Sequence, residues 1–167
     1  MSFPEMTHCM QCGATLVKRY LKDEGMIPYC PVCKAYRFPV FSTAISTIVM
    51  NEKRDHILLI RQYGRPGYIL VAGYVNQGED AEHTVCREVN EEMGLEVKKL
   101  KFNHSHYFKP TNTLMLNFTA IVKGAPNPNW EVDDWQWFTI EEARQAIRPH
   151  SLARDFLIGY LDGHYPF

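Results

Sequence analysis

Three glutamates stand close together near the middle of the chain: Glu88, Glu91 and Glu92. On a helix they would fall on one side, because successive residues are rotated by about 100°. A surface helix would gain stability if lysines were interleaved with such charges, and none lies between residues 81 and 95. Carboxylate oxygens grouped in this way are typical ligands of a divalent cation. The pattern therefore predicts a metal-binding helix, and the alternative is a solvated acidic helix.

The flanking residues predict where this helix begins and ends and how it packs. Asp80 can cap its start, and Gly94 can take the left-handed conformation that often ends a helix. Four apolar residues recur at helical spacing and are expected to pack on a core: Ala81, Val85, Val89 and Met93. Cys86 lies on the same side, so we expect a small core residue there. One side of the helix would then pack while the neighbouring side binds metal.

Further residues are expected to support the acidic side. Arg87 can hold a carboxylate in place through two parallel hydrogen bonds, with Glu79 or Glu91 as the partner. Gly73 permits a turn at which backbone carbonyls, including that of Ala72, could reach the same metal.

Four of the five cysteines form two closely spaced pairs, Cys9-x2-Cys12 and Cys30-x2-Cys33. Each pair can form a tight turn that supplies two thiolates, and two such turns supply the four sulfur ligands of a structural zinc ribbon. The alternative is a pair of disulfides, which requires an oxidising compartment. His8 is expected to be an ordinary exposed histidine, because four cysteines complete the zinc shell. We predict a zinc ribbon over residues 1–38 and a second domain over residues 39–167.

Composition limits the classes of function. The 167 residues carry a formal net charge of −1, so the chain has no overall positive field that would attract nucleic acid. Its hydrophobic content of 46% excludes a disordered chain. The ribbon segment mixes a few basic residues with acidic ones, so we expect it to support folding or a homodimer rather than to bind nucleic acid. No apolar run approaches the roughly 18 residues of a membrane span. The N-terminus lacks the pattern of a signal peptide, so we expect a cytoplasmic protein.

The second domain mixes strands and helices. Turn signals and alternation predict five strands: residues 41–50, 56–62, 68–72, 114–122 and 134–138. Thr139 and Glu142 form a capping box for a helix through Ile147, and Ser151 can cap a last helix that ends near Leu161. Strands flanked by helices on both faces predict an α/β/α sandwich with a mixed sheet.

The acidic segment also carries a resemblance to a known family. Its spacing fits the signature G-x5-E-x7-R-E-U-x-E-E-x-G-U, in which U is apolar, from Gly73 through Glu79 and Arg87 to Leu95. The chain thereby resembles the Nudix hydrolases, which implies an α/β/α sandwich and metal-dependent cleavage of a pyrophosphate bond with Mg²⁺ or Mn²⁺. The resemblance implies that Glu88 and Glu92 are the principal ligands. Glu91 is then a ligand or the general base, and both roles remain open.

The family pattern also implies one more acidic ligand from a later loop. Glu131 is our choice, with Asp134 in reserve.

A zinc ribbon directly before such a domain is similar to the catalytic half of the NADH pyrophosphatases, which also hydrolyse NAD-capped RNA. Residues 36–39 (YRFP) and 70–75 (LVAGYV) resemble stretches of that subfamily. Its NADH-recognition stretch, S-Q-P-W-P-F-P-x-S, falls on residues 105–113 (SHYFKPTNT), where only Ser105 is identical. The substrate-binding residues implied by the resemblance are Tyr107, Phe108, Lys109, Thr113 and Ala153. Because the tryptophan and most prolines are replaced, we expect weaker discrimination among NADH, NAD⁺ and ADP-ribose.

These inferences predict a hydrolase that cleaves a nucleoside diphosphate linked to another moiety X into a nucleoside monophosphate and phospho-X. An NAD(H)-like dinucleotide is the first choice of substrate. An ADP-ribose or sugar-nucleotide pyrophosphatase is the alternative enzyme, and a non-catalytic nucleotide-binding regulator is the alternative of another class.

Overall fold

The computed structural model of the chain describes residues 5–165. By their contacts the described residues form two compact units. The smaller unit ends at Phe41 and also contains residues 109–112, and the larger unit contains residues 42–108 and those from Thr113 onward. The division of the chain into domains at residues 38 and 39 remains a prediction.

The smaller unit contains a three-stranded antiparallel sheet. Its strands are β1 (Val17–Leu21), β2 (Gly25–Cys30) and β3 (Ala35–Tyr36), in that spatial order. One 3-10 turn, Lys109–Thr111, also belongs to this unit. The four paired cysteines all lie in this unit.

The larger unit is built on a six-stranded sheet. Its strands are β4 (Ser42–Met50), β5 (His56–Gln62), β6 (Val71–Tyr74), β7 (Glu96–Phe108), β8 (Thr113–Lys123) and β9 (Val132–Thr139). The spatial order is β7-β8-β4-β5-β9, and β6 pairs with β4. Strands β4 and β8 run parallel while the remaining pairs are antiparallel, so the predicted mixed sheet is confirmed.

Helices cover both faces of this sheet. They are α1 (Ala81–Met93), α2 (Ile140–Ala146) and α3 (Leu152–Leu161). The central strand β4 is buried on both faces from Ala44 to Met50, where five apolar residues flank the buried Ser46 and Thr47. Its residues Ile45 and Val49 pack with α1, whereas Ile48 and Met50 belong to the core under α2 and α3. The predicted α/β/α sandwich is confirmed.

Local signals located most element ends correctly. Thr139 and Glu142 form the predicted capping box at α2, and the Ser151 hydroxyl accepts a hydrogen bond from the Arg154 N–H at the start of α3. Strand β7 is the main element that the sequence did not reveal. It is a polar edge strand with few buried side chains, so its apolar alternation is weak.

In the described part of the chain, every helix is too short or too polar to cross a lipid bilayer.

Candidate active site and cysteine cluster

Helix α1 presents the acidic residues on one side while it packs with the other. Val85, Val89 and Met93 are fully buried in the core, as predicted. Gly94 ends the helix in the left-handed conformation, with φ of 65°, and its N–H donates to the Asn90 carbonyl. Asp80 occupies the N-cap position, but its side chain makes no capping hydrogen bond, so that part of the prediction is wrong.

The expected core position of Cys86 is also wrong, because its side chain is exposed. Each helical step rotates by about 100°, so the residue that follows the buried Val85 turns toward solvent. Thr84, on the other side of Val85, is buried instead, and its hydroxyl donates to Glu79 Oε2 at 3.0 Å.

Arg87 joins the carboxylates of the site. Its Nε and Nη2 donate to the two oxygens of Glu79 at 2.7 and 3.0 Å. Its Nη1 donates to Glu88 Oε1 at 2.8 Å and to Glu91 Oε2 at 3.0 Å, and Nη2 also reaches the Tyr74 carbonyl. The structure thus places Arg87 on both candidate partners, with the two-pronged contact on Glu79.

Glu79 is held as a charged anchor. Besides Arg87, its Oε2 accepts hydrogen bonds from the Asn76 N–H at 3.1 Å and from the Thr84 hydroxyl. The Arg87 guanidinium and these donors lower the pKa of Glu79 to about 2. Because its oxygens accept this many hydrogen bonds, Glu79 is suited to position other groups and has little capacity left to coordinate a metal ion.

Glu92 is the most buried member of the cluster, at 3% exposure. Gln62 Nε2 donates to its Oε1 at 2.7 Å, while Oε2 is buried without a hydrogen-bond partner. Burial, with smaller contributions from Glu88, Glu131 and Glu91, raises the pKa of Glu92 to about 8. A buried carboxylate with one unsatisfied oxygen is unfavourable unless a cation compensates it. The donor set therefore fits a divalent cation that prefers oxygen ligands.

Gly73 serves the site by allowing close approach. A Cβ at this position would lie 2.0 Å from Glu88 Oε1, so only glycine leaves room for that carboxylate. The predicted turn at Gly73 is wrong, because the residue lies inside β6 and pairs with Ile45. Ala72 precedes it in the same strand and pairs with Ser46. Burial beside this strand raises the pKa of Glu88, although Arg87 opposes the shift.

Glu131 approaches the same group from the segment before β9. Its negative charge raises the pKa of both Glu88 and Glu92. The Tyr63 hydroxyl donates to Glu131 Oε2 at 2.7 Å, and this bond raises the pKa of Tyr63 to about 12. The reserve choice, Asp134, is engaged elsewhere, because it accepts hydrogen bonds from Arg61 and from the Tyr68 hydroxyl.

Two residues of this site were missed by sequence reasoning: Gln62, which holds Glu92, and Tyr63, which holds Glu131. Gln62 is 8% exposed and ends β5, whose apolar run is Ile57 to Ile60. A polar residue at a buried end of such a run is the signal that could have identified it, since buried polar groups require partners.

The five candidate substrate-binding residues lie in different elements of the structure. Tyr107 and Phe108 end β7, and Tyr107 is 47% exposed while Phe108 is half-buried. Lys109 belongs to the smaller unit. Thr113 is 1% exposed within the sheet, so its side chain does not face solvent. Ala153 packs against the core under α3, on the face of the sheet opposite to α1.

The four paired cysteines converge in the smaller unit. The sulfur atoms of Cys9, Cys12, Cys30 and Cys33 all lie within 4.8 Å of one another, and the four thiols are free. Such a cluster can hold a metal ion through four sulfur ligands.

Arg37 supports this cluster by donating from Nε to Cys9 Sγ at 3.2 Å. Burial alone would raise the pKa of Cys9, but the hydrogen bonds from Arg37 and from nearby backbone groups outweigh it and lower the pKa to about 6. Hydrogen bonding to Cys12 and the other neighbouring thiols raises the pKa of Cys33 to about 12. The pKa values of Cys9 and Cys33 are thus shifted in opposite directions by their surroundings.

Comparison with known proteins places these features in context. The family model of the NUDIX domain matches residues 40–157. The chain is 34% identical over 158 residues to the NAD-capped RNA hydrolase NudC of Pseudomonas aeruginosa. The matched segment covers 92% of this chain and 56% of that protein. It is 29% identical over 147 residues to the NAD-capped RNA hydrolase ndx-9 of Caenorhabditis elegans, with 83% and 38% covered. The chain thus spans about half the length, or less, of these relatives.

Among solved structures, the fold is similar to a NUDIX hydrolase from Nitrosomonas europaea. The TM-score is 0.68 at 21% identity, with 94% of this chain and 91% of that chain covered. This likeness confirms the fold.

Proposed function

Since this chain belongs to the Nudix family, we propose that it is a metal-dependent pyrophosphohydrolase. It cleaves a nucleoside diphosphate linked to a moiety X into a nucleoside monophosphate and phospho-X. One observation supports this most directly. Glu92 is buried with an unpartnered oxygen, and the charges of Glu88, Glu91 and Glu131 lie close enough to raise its pKa.

These side chains fit Mg²⁺ or Mn²⁺, which prefer oxygen ligands. Glu88, Glu92 and Glu131 would hold the cation, with the carbonyl of Ala72 as a backbone ligand. When bound, the cation neutralises the bridging phosphates and lowers the pKa of the attacking water.

The protein residues then divide the remaining work. Gln62 fixes the orientation of Glu92 through its hydrogen bond to Oε1, and Arg87 fixes Glu88 and Glu91 relative to each other. The Glu91 side chain is 55% exposed, so it can accept a proton from water at the surface of the site. We therefore propose Glu91 either as the general base or as a further ligand of the cation.

For the substrate we propose an NAD(H)-like dinucleotide, free or as the cap of an RNA. The relatives carry the name NAD-capped RNA hydrolase. An exposed aromatic side chain at Tyr107 is suited to stack on a purine or nicotinamide ring. Phe108, Lys109 and Ala153 remain proposed contacts, and the buried Thr113 has the weakest support.

An ADP-ribose or sugar-nucleotide pyrophosphatase is the second candidate. It is favoured by residues 105–113, where most of the prolines and the tryptophan of the NADH-recognition stretch are replaced. A non-catalytic regulator is disfavoured, because Glu88, Glu91 and Glu92 are all present.

The four-cysteine cluster is proposed to hold a structural Zn²⁺. Its free thiols fit a reducing compartment, which supports a cytoplasmic location. We propose a homodimer as the assembly, and we propose no membrane partner.

A substrate panel tests the proposed function. Hydrolysis of NADH, NAD⁺, ADP-ribose, FAD, a sugar nucleotide and NAD-capped RNA is measured with Mg²⁺ and with Mn²⁺, and products are identified by mass. We expect a nucleoside monophosphate from at least one substrate, and no product after chelation. Glu96→Gln, an exposed glutamate outside the cluster, is the matched control for substitutions in the cluster. Nucleotide binding without hydrolysis across the panel would favour the regulator.

A further inference from the structure

A cavity lies on the opposite face of the sheet from the acidic cluster. Its volume is about 680 Å³, within the range of small-molecule sites. Met50, Ile121 and Tyr160, which belong to the core packed under α2 and α3, line its apolar floor. Helix α1 and its glutamates belong to the other core. The cavity is therefore separate from the proposed hydrolytic site.

Three cationic side chains converge on this cavity: Arg54, Lys99 and Lys101. Lys99 and Lys101 are alternate residues of β7 and so project from the same face of the strand, opposite Ile121 and Thr119 of β8. Arg54 comes from the turn between β4 and β5, where its N–H donates to the Asn51 carbonyl at 3.0 Å. Two separate parts of the fold thus bring like charges together.

Among the described residues, those that line the cavity include no acidic side chain. Across residues 5–165, the side chains of Arg54 and Lys99 have no ion-pair partner. Asp55, the acidic neighbour of Arg54, is already paired with His56 at 2.8 Å. Clustered like charges beside a low-dielectric wall create a field that attracts an anion.

The floor has little free hydrogen-bonding capacity. The Thr119 hydroxyl is engaged with Asn103, from which it accepts at 2.9 Å. The Tyr160 hydroxyl contacts the Met50 sulfur at 3.8 Å. The floor therefore favours an alkyl chain or plain ring over sugar hydroxyls or the polar edge of a base, for which it offers few partners.

We propose that this cavity binds a small amphipathic anion. Its carboxylate, sulfonate or phosphate head would contact Lys99, Lys101 and Arg54, and its apolar body would cover Met50, Ile121 and Tyr160. The site lies outside the acidic cluster and is independent of the proposed function.

Binding of decanoate to the full chain tests this site, with butyrate as the short analogue and AMP as a nucleotide anion. Titration is followed by NMR of the backbone amides. We expect saturable shifts around residues 99–101 and at the end of α3 with decanoate. Butyrate should bind at least about tenfold more weakly, because it loses several buried methylenes. AMP should produce no saturable shifts there.

The lysine contribution is tested with Lys99→Gln/Lys101→Gln, which should raise the Kd for decanoate about tenfold. Lys98→Gln is the matched control, since Lys98 directly precedes Lys99 in β7, is not among the residues that line the cavity and pairs with Glu96. Panel hydrolysis should be unchanged in both variants.

Three results would overturn the proposal. They are no saturable decanoate binding at these residues, equal weakening by Lys98→Gln, and tighter binding of AMP than of decanoate at the same residues.

Discussion

Replacing Glu92 by glutamine should move stability and activity in opposite directions at alkaline pH. In the folded, metal-free chain, burial raises the pKa of Glu92 from 4.5 to about 8. The folded state then binds more protons than the unfolded state between these values. Stability from this group is therefore present below about pH 4.5 and is lost as pH rises toward 8.

The size of the effect follows from the shift in pKa. At 1.36 kcal/mol for each unit, the buried charge costs up to about 4 to 5 kcal/mol above pH 8. Glu92→Gln removes the charge and keeps an oxygen for Gln62, but its new amide N–H₂ lacks a partner, which costs about 1 to 3 kcal/mol. The variant should therefore be about 2 to 4 kcal/mol more stable than the parent at pH 8.5, and no more stable than the parent at pH 5, where Glu92 of the folded parent is protonated.

Urea unfolding in EDTA at pH 5 and pH 8.5 measures this change, and hydrolysis of the best panel substrate is measured in parallel. Turnover should fall by about 100-fold or more, because a charged ligand of the proposed metal is lost. Mg²⁺ should stabilise the parent more than the variant at pH 8.5, since it binds the folded, ionised form. Glu96→Gln should leave the pH dependence between 5 and 8.5 unchanged, because Lys98 already lowers the pKa of Glu96. Parallel pH profiles for the parent and Glu92→Gln would refute the argument from burial, and activity within about threefold of the parent would refute the metal role.

Three further predictions test other parts of the molecule. Gly73→Ala should reduce turnover by about tenfold or more, because its Cβ would displace the Glu88 carboxylate; its cost in unfolding free energy should shrink in a Glu88→Ala background, and an unchanged cost would argue against the contact. Tyr107→Ala should raise KM by the equivalent of roughly 1 to 3 kcal/mol with little change in Tm, if this exposed ring stacks on the substrate; an unchanged KM for every panel substrate would remove it from the site. Elemental analysis should find about one zinc per chain, lost in Cys33→Ser and kept in Cys86→Ser; metal-free protein with a single titratable thiol, that of Cys86, would restore the disulfide interpretation.

The tertiary contacts explain why some expectations from the sequence were wrong. Cys86 was placed in the core because its neighbours are apolar, but the rotation of α1 against the sheet buries Thr84 and exposes Cys86. Gly73 was expected in a turn because glycine tolerates unusual backbone angles. It lies instead within β6, where the absence of a Cβ leaves room for the Glu88 carboxylate. Strand β7 was missed because an edge strand buries few side chains and shows weak alternation.

The sequence alone determined what depends on short spacing. The side-by-side placement of Glu88, Glu91 and Glu92, the paired cysteines and the caps of α2 and α3 all follow from local geometry, because helical rotation and turn chemistry act over a few residues. The tertiary structure alone decided which distant groups meet these residues. Gln62 reaches Glu92 across 30 positions and Tyr63 reaches Glu131 across 68, because sheet register and helix packing bring them together. The packing of α1 on the sheet buries Glu92, and burial raises its pKa against the opposing hydrogen bond from Gln62, which no spacing in the sequence could show.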